Sequence, residues 1–152
     1  MTHSRAPSAN ANGTHRAVPP SPHRDPRVIV AAAVGGLVGT LARAGLENAY
    51  PPRSAFPWTT LIINLAGAAV LAWLVVRLSE RLPPSTYIRP MLGTGFCGGL
   101  TTFSTMQVEA VKLLDHGRSV AGAGYLAASV AGGLLVTAYV LRAARRARWP
   151  GP

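Results

Sequence analysis

The chain has 152 residues, of which 49% are apolar and only 13% charged, with 15 basic side chains against 5 acidic ones and a formal net charge of +10. A soluble domain carries about 25% charged residues, so this composition argues against an ordinary water-soluble globule. The single cysteine, Cys97, excludes an intrachain disulfide, and no Cys/His cluster has the spacing of a structural zinc site.

A charge of +10 would suit a nucleic-acid binder if it were spread over one surface, but it is concentrated at the two ends. Residues 1–27 carry four Arg and one Asp, residues 142–152 carry four Arg, and the long middle holds seven basic and four acidic residues. Residues 1–27, rich in Pro, Ser, Asn, Ala and His, predict a disordered basic cytoplasmic tail. The reading of Arg27 and the apolar run after it as a signal peptide is set aside, because the run starts late and three more follow.

Charge-free runs at 28–42, 54–76, 90–108 and 119–141 then predict an all-α membrane domain over 28–142. Its four spans lie at about 28–49, 57–78, 89–112 and 119–141, since a bilayer core takes about 20 mostly apolar residues as helix. Pro51 and Pro52 close the first span, and Phe56, Pro57 and Trp58 supply an interfacial belt before the second. Pro83 and Pro84 separate spans two and three, while Asp115, His116 and Gly117 make the last turn. Residues 143–152 form a basic C-terminal tail.

Basic residues flanking spans set orientation. With the N-terminus inside, the cytoplasmic side collects Arg5, Arg16, Arg24, Arg27, Arg77, Arg81, Arg89, Arg142, Arg145, Arg146 and Arg148, against Arg43, Arg53, Lys112 and Arg118 opposite. This predicts a multi-pass plasma-membrane protein with both termini cytoplasmic. The basic tails are then topology signals and anionic-lipid contacts, and no nucleic-acid partner is expected.

Several polar residues fall inside the apolar runs. Thr60, Asn64 and Gly67 share one helical face, which must turn toward another helix or a water-filled path because an unpaired amide in hydrocarbon is costly. Glue between helices and an ion pathway are both open for that face. In span three, Gly98 and Gly99 precede the hydroxyls of Thr101, Thr102, Ser104 and Thr105, which predicts a broken helix whose freed peptide groups serve an ion or a neighbour. Gly95 and Gly99 also have the spacing for close helix packing. Tyr125, Ser129 and Gly133 share a face of span four. Glu109 and Lys112 read as an interfacial pair, and Arg43 as an anchor or a source of positive potential at a vestibule.

Taken together, Gly35-Gly36-x-x-Gly39-x-x-x-Arg43, Thr60-Leu61-x-x-Asn64-x-x-Gly67, and the string Gly95-Phe96-Cys97-Gly98-Gly99-Leu100-Thr101-Thr102-Phe103-Ser104-Thr105 followed by Glu109 resemble the CrcB, or Fluc, family of fluoride channels. The resemblance implies a four-helix subunit that pairs as an antiparallel, dual-topology-type dimer, with two fluoride pores and one structural Na+ at the centre. It gives Asn64 the role of an amide donor to fluoride, and the backbone carbonyls of Gly98 and Thr101 the role of sodium ligands. Ser104, Thr105, Tyr125 and Ser129 become a polar track, with Glu109 at the pore end. Phe103 matches the first of two aromatics that offer their positive ring edges to the anion. Met106 stands at the second, and a thioether there is expected to hold fluoride less well or pass it more slowly.

The expected activity is passive fluoride export rather than catalysis. Because the charge bias commits the chain to one orientation, an alternative is a subunit active only as a heterodimer with a homologous chain, or a helper that does not itself conduct. A small multidrug-type transporter is disfavoured, since Glu47, Glu80, Glu109 and Asp115 all fall toward span ends.

Overall fold

The computed structural model describes residues 25–51, 54–81 and 85–147, and every regular element among them is a helix. The predicted tail through residue 24, Arg53, the Pro83 and Pro84 pair, and the chain beyond residue 147 lie outside the described residues.

Helix α1 (Pro26–Ala49) opens with a side-chain cap: Asp25 Oδ1 accepts the Arg27 N–H at 2.9 Å, and Pro26 takes a position where its missing N–H costs nothing. It ends at Tyr50, just ahead of Pro51. Helix α2 (Trp58–Val76) runs on into a wide π-helical turn, Arg77–Arg81. The two helices are tied at this end by Thr59, whose hydroxyl donates to the Tyr50 carbonyl at 2.8 Å.

The third segment starts as a π-helical stretch, Pro90–Cys97, and tightens into α3 (Gly98–Leu100). It then breaks. Thr101 (φ −86°, ψ 152°) and Thr102 (φ −142°, ψ 119°) are extended, and α4 (Phe103–Asp115) begins after them. Thr102 caps α4 by accepting the Thr105 N–H on its hydroxyl at 3.2 Å. Gly117, at φ +72°, ends the run in a Schellman turn, with Arg118 N–H on Leu113 O and Gly117 N–H on Leu114 O, each at 2.9 Å. Helix α5 (Ser119–Arg146) continues past the predicted limit of 141, since Arg145 and Arg146 in its last turn complement the negative end of the helix.

Three helices among the described residues are long and apolar enough to cross a membrane: Pro26–Ala49, Trp58–Glu80 and Ser119–Arg146. The third segment runs through 8 π-helical and 3 α-helical residues up to its break, and 13 residues of α4 follow it. Each side of the break is shorter than the ~20 residues a lone spanning helix needs.

Packing follows side-chain size. α1 lies along Pro90–Cys97 and α3, while α5 lies against α2 and α4. On the first interface the backbones nearly touch: a Cβ at Gly35 would strike the Met91 carbonyl, and one at Gly39 the Phe96 carbonyl. From the other side, a Cβ at Gly95 would strike the Ala32 carbonyl and one at Gly99 the Gly36 carbonyl. Two small-xxx-small rows therefore interlock, the arrangement by which membrane helices associate without a hydrophobic driving force. The second interface is ordinary side-chain packing, with Leu61, Met106, Ala110, Leu113 and Tyr125 forming a buried cluster. The outer surface is apolar, with Leu41 62%, Leu134 68% and Leu135 70% exposed, as suits lipid or a second subunit rather than water.

Gly39→Ala should cost about 1–3 kcal/mol through overpacking against fixed backbone. Gly45→Ala, at a position where a Cβ meets nothing within 4 Å, should be neutral or stabilising by up to about 1 kcal/mol. Thermal unfolding of the two variants in one detergent checks the contrast.

Candidate functional site

The face of α2 that carries Thr60, Asn64 and Gly67 turns inward onto the break. Gly67 leaves room for the Thr101 side chain, since a Cβ there would collide with Thr101 Cγ2. Asn64 grips the next residue at both of its peptide groups: Nδ2 donates to the Thr102 carbonyl at 3.0 Å, and Oδ1 accepts the Thr102 N–H at 2.8 Å. The Thr102 N–H stands where the helical ladder is interrupted, and an unpaired peptide group in a membrane costs several kcal/mol. Asn64 Oδ1 supplies its acceptor, and Nδ2 adds a bond to the Thr102 carbonyl, which as N-cap also faces the first turn of α4. A carboxamide nitrogen carries two hydrogens, so one N–H of Asn64 remains beyond the clamp.

One turn earlier, Thr60 donates to Glu109 Oε1 at 2.7 Å, and from α5 Tyr125 donates to Glu109 Oε2 at 2.7 Å. Tyr125 is completely buried and Thr60 is 3% exposed. The carboxylate is thus a node joining α2, α4 and α5. The expected ion pair between Glu109 and Lys112 is not formed, because both carboxylate oxygens are turned inward to hydroxyl donors. Phe56 covers Tyr125 edge-on, with ring centroids 5.5 Å apart.

The other predicted residues separate into two groups. Thr105 and Ser104 belong to the start of α4, where the Thr102 hydroxyl donates to Thr105 Oγ1 at 3.0 Å and lies 3.4 Å from Ser104 Oγ. Phe103 projects outward, 67% exposed. Met106 does not share that surface, being buried at 6% in the cluster with Leu61 and Tyr125. Ser129 turns its hydroxyl back to the Tyr125 carbonyl at 2.8 Å, a local bond within α5. Thr102 and Thr60 carry more of the geometry than the sequence reading gave them. The signal for Thr102 was its place three residues before Thr105, the spacing of a helix cap.

Arg43 is not an unopposed vestibule charge. Its Nη1 bonds Glu47 at 3.0 and 3.2 Å, and its Nε reaches the Gly99 carbonyl at 3.4 Å. Arg43 therefore serves the end of α3 with its charge balanced by a residue one turn away. At the break itself, both the N–H and the hydroxyl of Thr101 bond Cys97 O, at 3.0 and 2.9 Å. Gly98 is exposed, and a Cβ on it would meet no atom within 4 Å.

Comparison with known proteins bears on this arrangement. The profile of the family described as "CrcB-like protein, Camphor Resistance (CrcB)" matches residues 30–141. The chain is 47% identical over 125 residues to "Fluoride-specific ion channel FluC 1" of Mycolicibacterium paratuberculosis, covering 82% of this chain and 95% of that one. It is 45% identical over 128 residues to "Fluoride-specific ion channel FluC 1" of Mycobacterium tuberculosis, covering 84% and 97%. A more distant relative, "Fluoride-specific ion channel FluC 2" of Geobacillus kaustophilus, is 39% identical over 112 residues, 72% of this chain and 87% of that one.

Asn64→Ala should leave the Thr102 N–H unpaired at a cost of about 1–3 kcal/mol, while its carbonyl keeps its place as the N-cap acceptor of α4. Amide exchange measured at Thr102 should accelerate at least tenfold. Tyr125→Phe should destabilise by about 1.5–3 kcal/mol, because it removes a hydrogen bond to a charged group. Ser129→Ala should stay within about 0.5 kcal/mol in the same thermal assay.

Proposed function

The chain belongs to the CrcB family, and on that premise we propose that it is a subunit of a fluoride-selective channel that lets cytoplasmic fluoride leave the cell passively. Hydrogen fluoride is a weak acid that crosses membranes and ionises inside, trapping the anion. An inside-negative membrane then drives fluoride outward at about 2.3 kcal/mol per charge per 100 mV. The protein needs only a path, and no catalytic step.

The observation that carries the reading is the break: the exposed Phe103 and the hydroxyls of Thr102, Ser104 and Thr105 all belong to the start of α4, where Asn64 is bonded to Thr102. Fluoride is small and tightly hydrated, so a pore must offer hydrogen-bond donors as water is removed. The second Asn64 N–H and the Ser104 and Thr105 hydroxyls are such donors, and the positive edge of Phe103 attracts an anion without the cost of a full charge. The Thr60, Glu109 and Tyr125 node continues the polar interior toward the end that holds Lys112.

The four-span count, antiparallel pairing and inward-facing termini extend the same reading. The broken third segment is the fourth crossing, its two halves sealed at the break by Asn64. A central Na+ fits the neutral oxygens there: extended Thr101 interrupts the helical ladder, and Gly98 stands open without a side chain. Hard carbonyl oxygens suit a hard monovalent cation. The carbonyls of Gly98 and Thr101 would hold it, where it would lock two subunits together without being transported.

A second reading is favoured by the eleven-to-four bias of flanking basic residues and by Met106 lying in the core where the family's second aromatic is expected. Both suit a subunit whose partner is a homologous chain of opposite orientation that supplies the missing ring.

Proteoliposomes containing this chain alone should release fluoride and retain chloride; equal passage of the two anions defeats the selectivity claim. Asn64→Asp, which sets a carboxylate against the anion path, should slow fluoride efflux at least tenfold. Efflux appearing only when a homologous chain is added establishes the heterodimer.

A further inference from the structure

A cavity lies at the α1–α2 loop end of the molecule, apart from the break. It encloses about 490 Å3 between the segment that leads into α2 and the junction of α4 with α5. Glu109 lies in its wall, and Lys112, His116 and Arg118 line the rest of its polar surface.

The charge on this wall is arranged to attract an anion. Lys112 and Arg118 are exposed, and neither forms an ion pair among the described residues, whose two pairs are Arg43 with Glu47 and Arg145 with Glu80. The carboxylate in the wall is already served by the Thr60 and Tyr125 hydroxyls. The end of α4 would ordinarily present carbonyl oxygens carrying a partial negative charge. Here three of them are covered. The Schellman turn closes Leu113 O and Leu114 O, and Lys112 O receives both the His116 N–H at 3.2 Å and His116 Nδ1 at 2.6 Å. A carbonyl partner requires a donor, so Nδ1 carries the proton. Two cations without ion-pair partners therefore face the recess against one carboxylate, Glu109, whose oxygens are turned to hydroxyl donors, and the partial negative charge of the helix end is reduced.

We propose that this recess is a capture site for small inorganic anions, fluoride among them, that holds the partly hydrated ion by Lys112 and Arg118 before it reaches the Glu109 node. Its physiological meaning rests on the channel reading, while its existence as a binding site does not. With Lys112 and Arg118 against Glu109 the lining carries an excess of positive charge, which concentrates anions and raises association rates, and salt screens the effect.

The test uses the full chain in nanodiscs of purely zwitterionic lipid, titrated with sodium fluoride and observed by fluorine NMR. The protein-dependent broadening of the fluoride line should fall at least about threefold in the double variant Lys112→Gln/Arg118→Gln, and should fade in wild type near 0.5 M ionic strength. The charge-preserving pair Lys112→Arg/Arg118→Lys should keep it. In liposomes, fluoride efflux through the Gln variant should be about 3–10-fold slower at low salt and equal to wild type at high salt. Equal broadening by wild type and the Gln variant overturns the proposal whatever the efflux shows. A difference that appears only when anionic lipid is present also overturns it, making the pair a lipid anchor. If wild type broadens the fluoride line through these residues but conducts nothing either alone or with a homologous chain, the capture site stands and the channel reading fails.

Discussion

A peptide group inside a bilayer must find its hydrogen bond within the protein, and at the extended pair Thr101 and Thr102 the helical ladder stops, leaving the Thr102 N–H to be served from another helix. The molecule is organised around meeting that demand. Asn64 satisfies the N–H and the carbonyl of Thr102, and Thr101 folds its N–H and hydroxyl back to Cys97 O. Because the residue doing most of this work is on α2, the break can exist only while α2 and the third segment are in register. Register of the fold and geometry of the site are thus one constraint.

The remaining contacts hold that register. On one side, four glycines let α1 approach the third segment backbone to backbone, so the segment cannot shift along α1 without a collision. On the other, Glu109 accepts hydroxyls from two different helices and fixes α4 against α2 and α5. In a low-dielectric interior such charge-assisted bonds are stronger than in water, and each loses much if its partner moves. The apolar outer surface contributes little to this specificity, since Leu41, Leu134 and Leu135 meet only lipid or another chain.

Charged residues are placed with the same economy. Arg43 is balanced by Glu47 and turned to the Gly99 carbonyl, and Arg145 is balanced by Glu80 at the opposite end. Lys112 and Arg118 form no ion pair among the described residues and line a recess whose wall also holds Glu109. Spacing alone misleads here: Glu109 and Lys112 sit one turn apart as a salt bridge would, yet two buried hydroxyls outcompete the exposed ammonium, because an exposed pair adds little in water.

The sequence by itself determined the membrane class, the helices and the place of the break. Those follow from local facts: run length without charge, prolines between runs, and paired glycines followed by hydroxyls that weaken a helix wherever they occur. It also showed that Thr60, Asn64 and Gly67 share a face, since helical periodicity is local. What that face meets was decided by tertiary structure. Asn64 against Thr102, Thr60 and Tyr125 against Glu109, Met106 in the core and Phe103 outside it all join residues far apart in the chain or depend on which side of α4 is covered. The polar atoms of a membrane helix have no water to fall back on, so their partners are fixed by whichever neighbour the packing brings within about 3 Å. No spacing rule along a single helix specifies that neighbour.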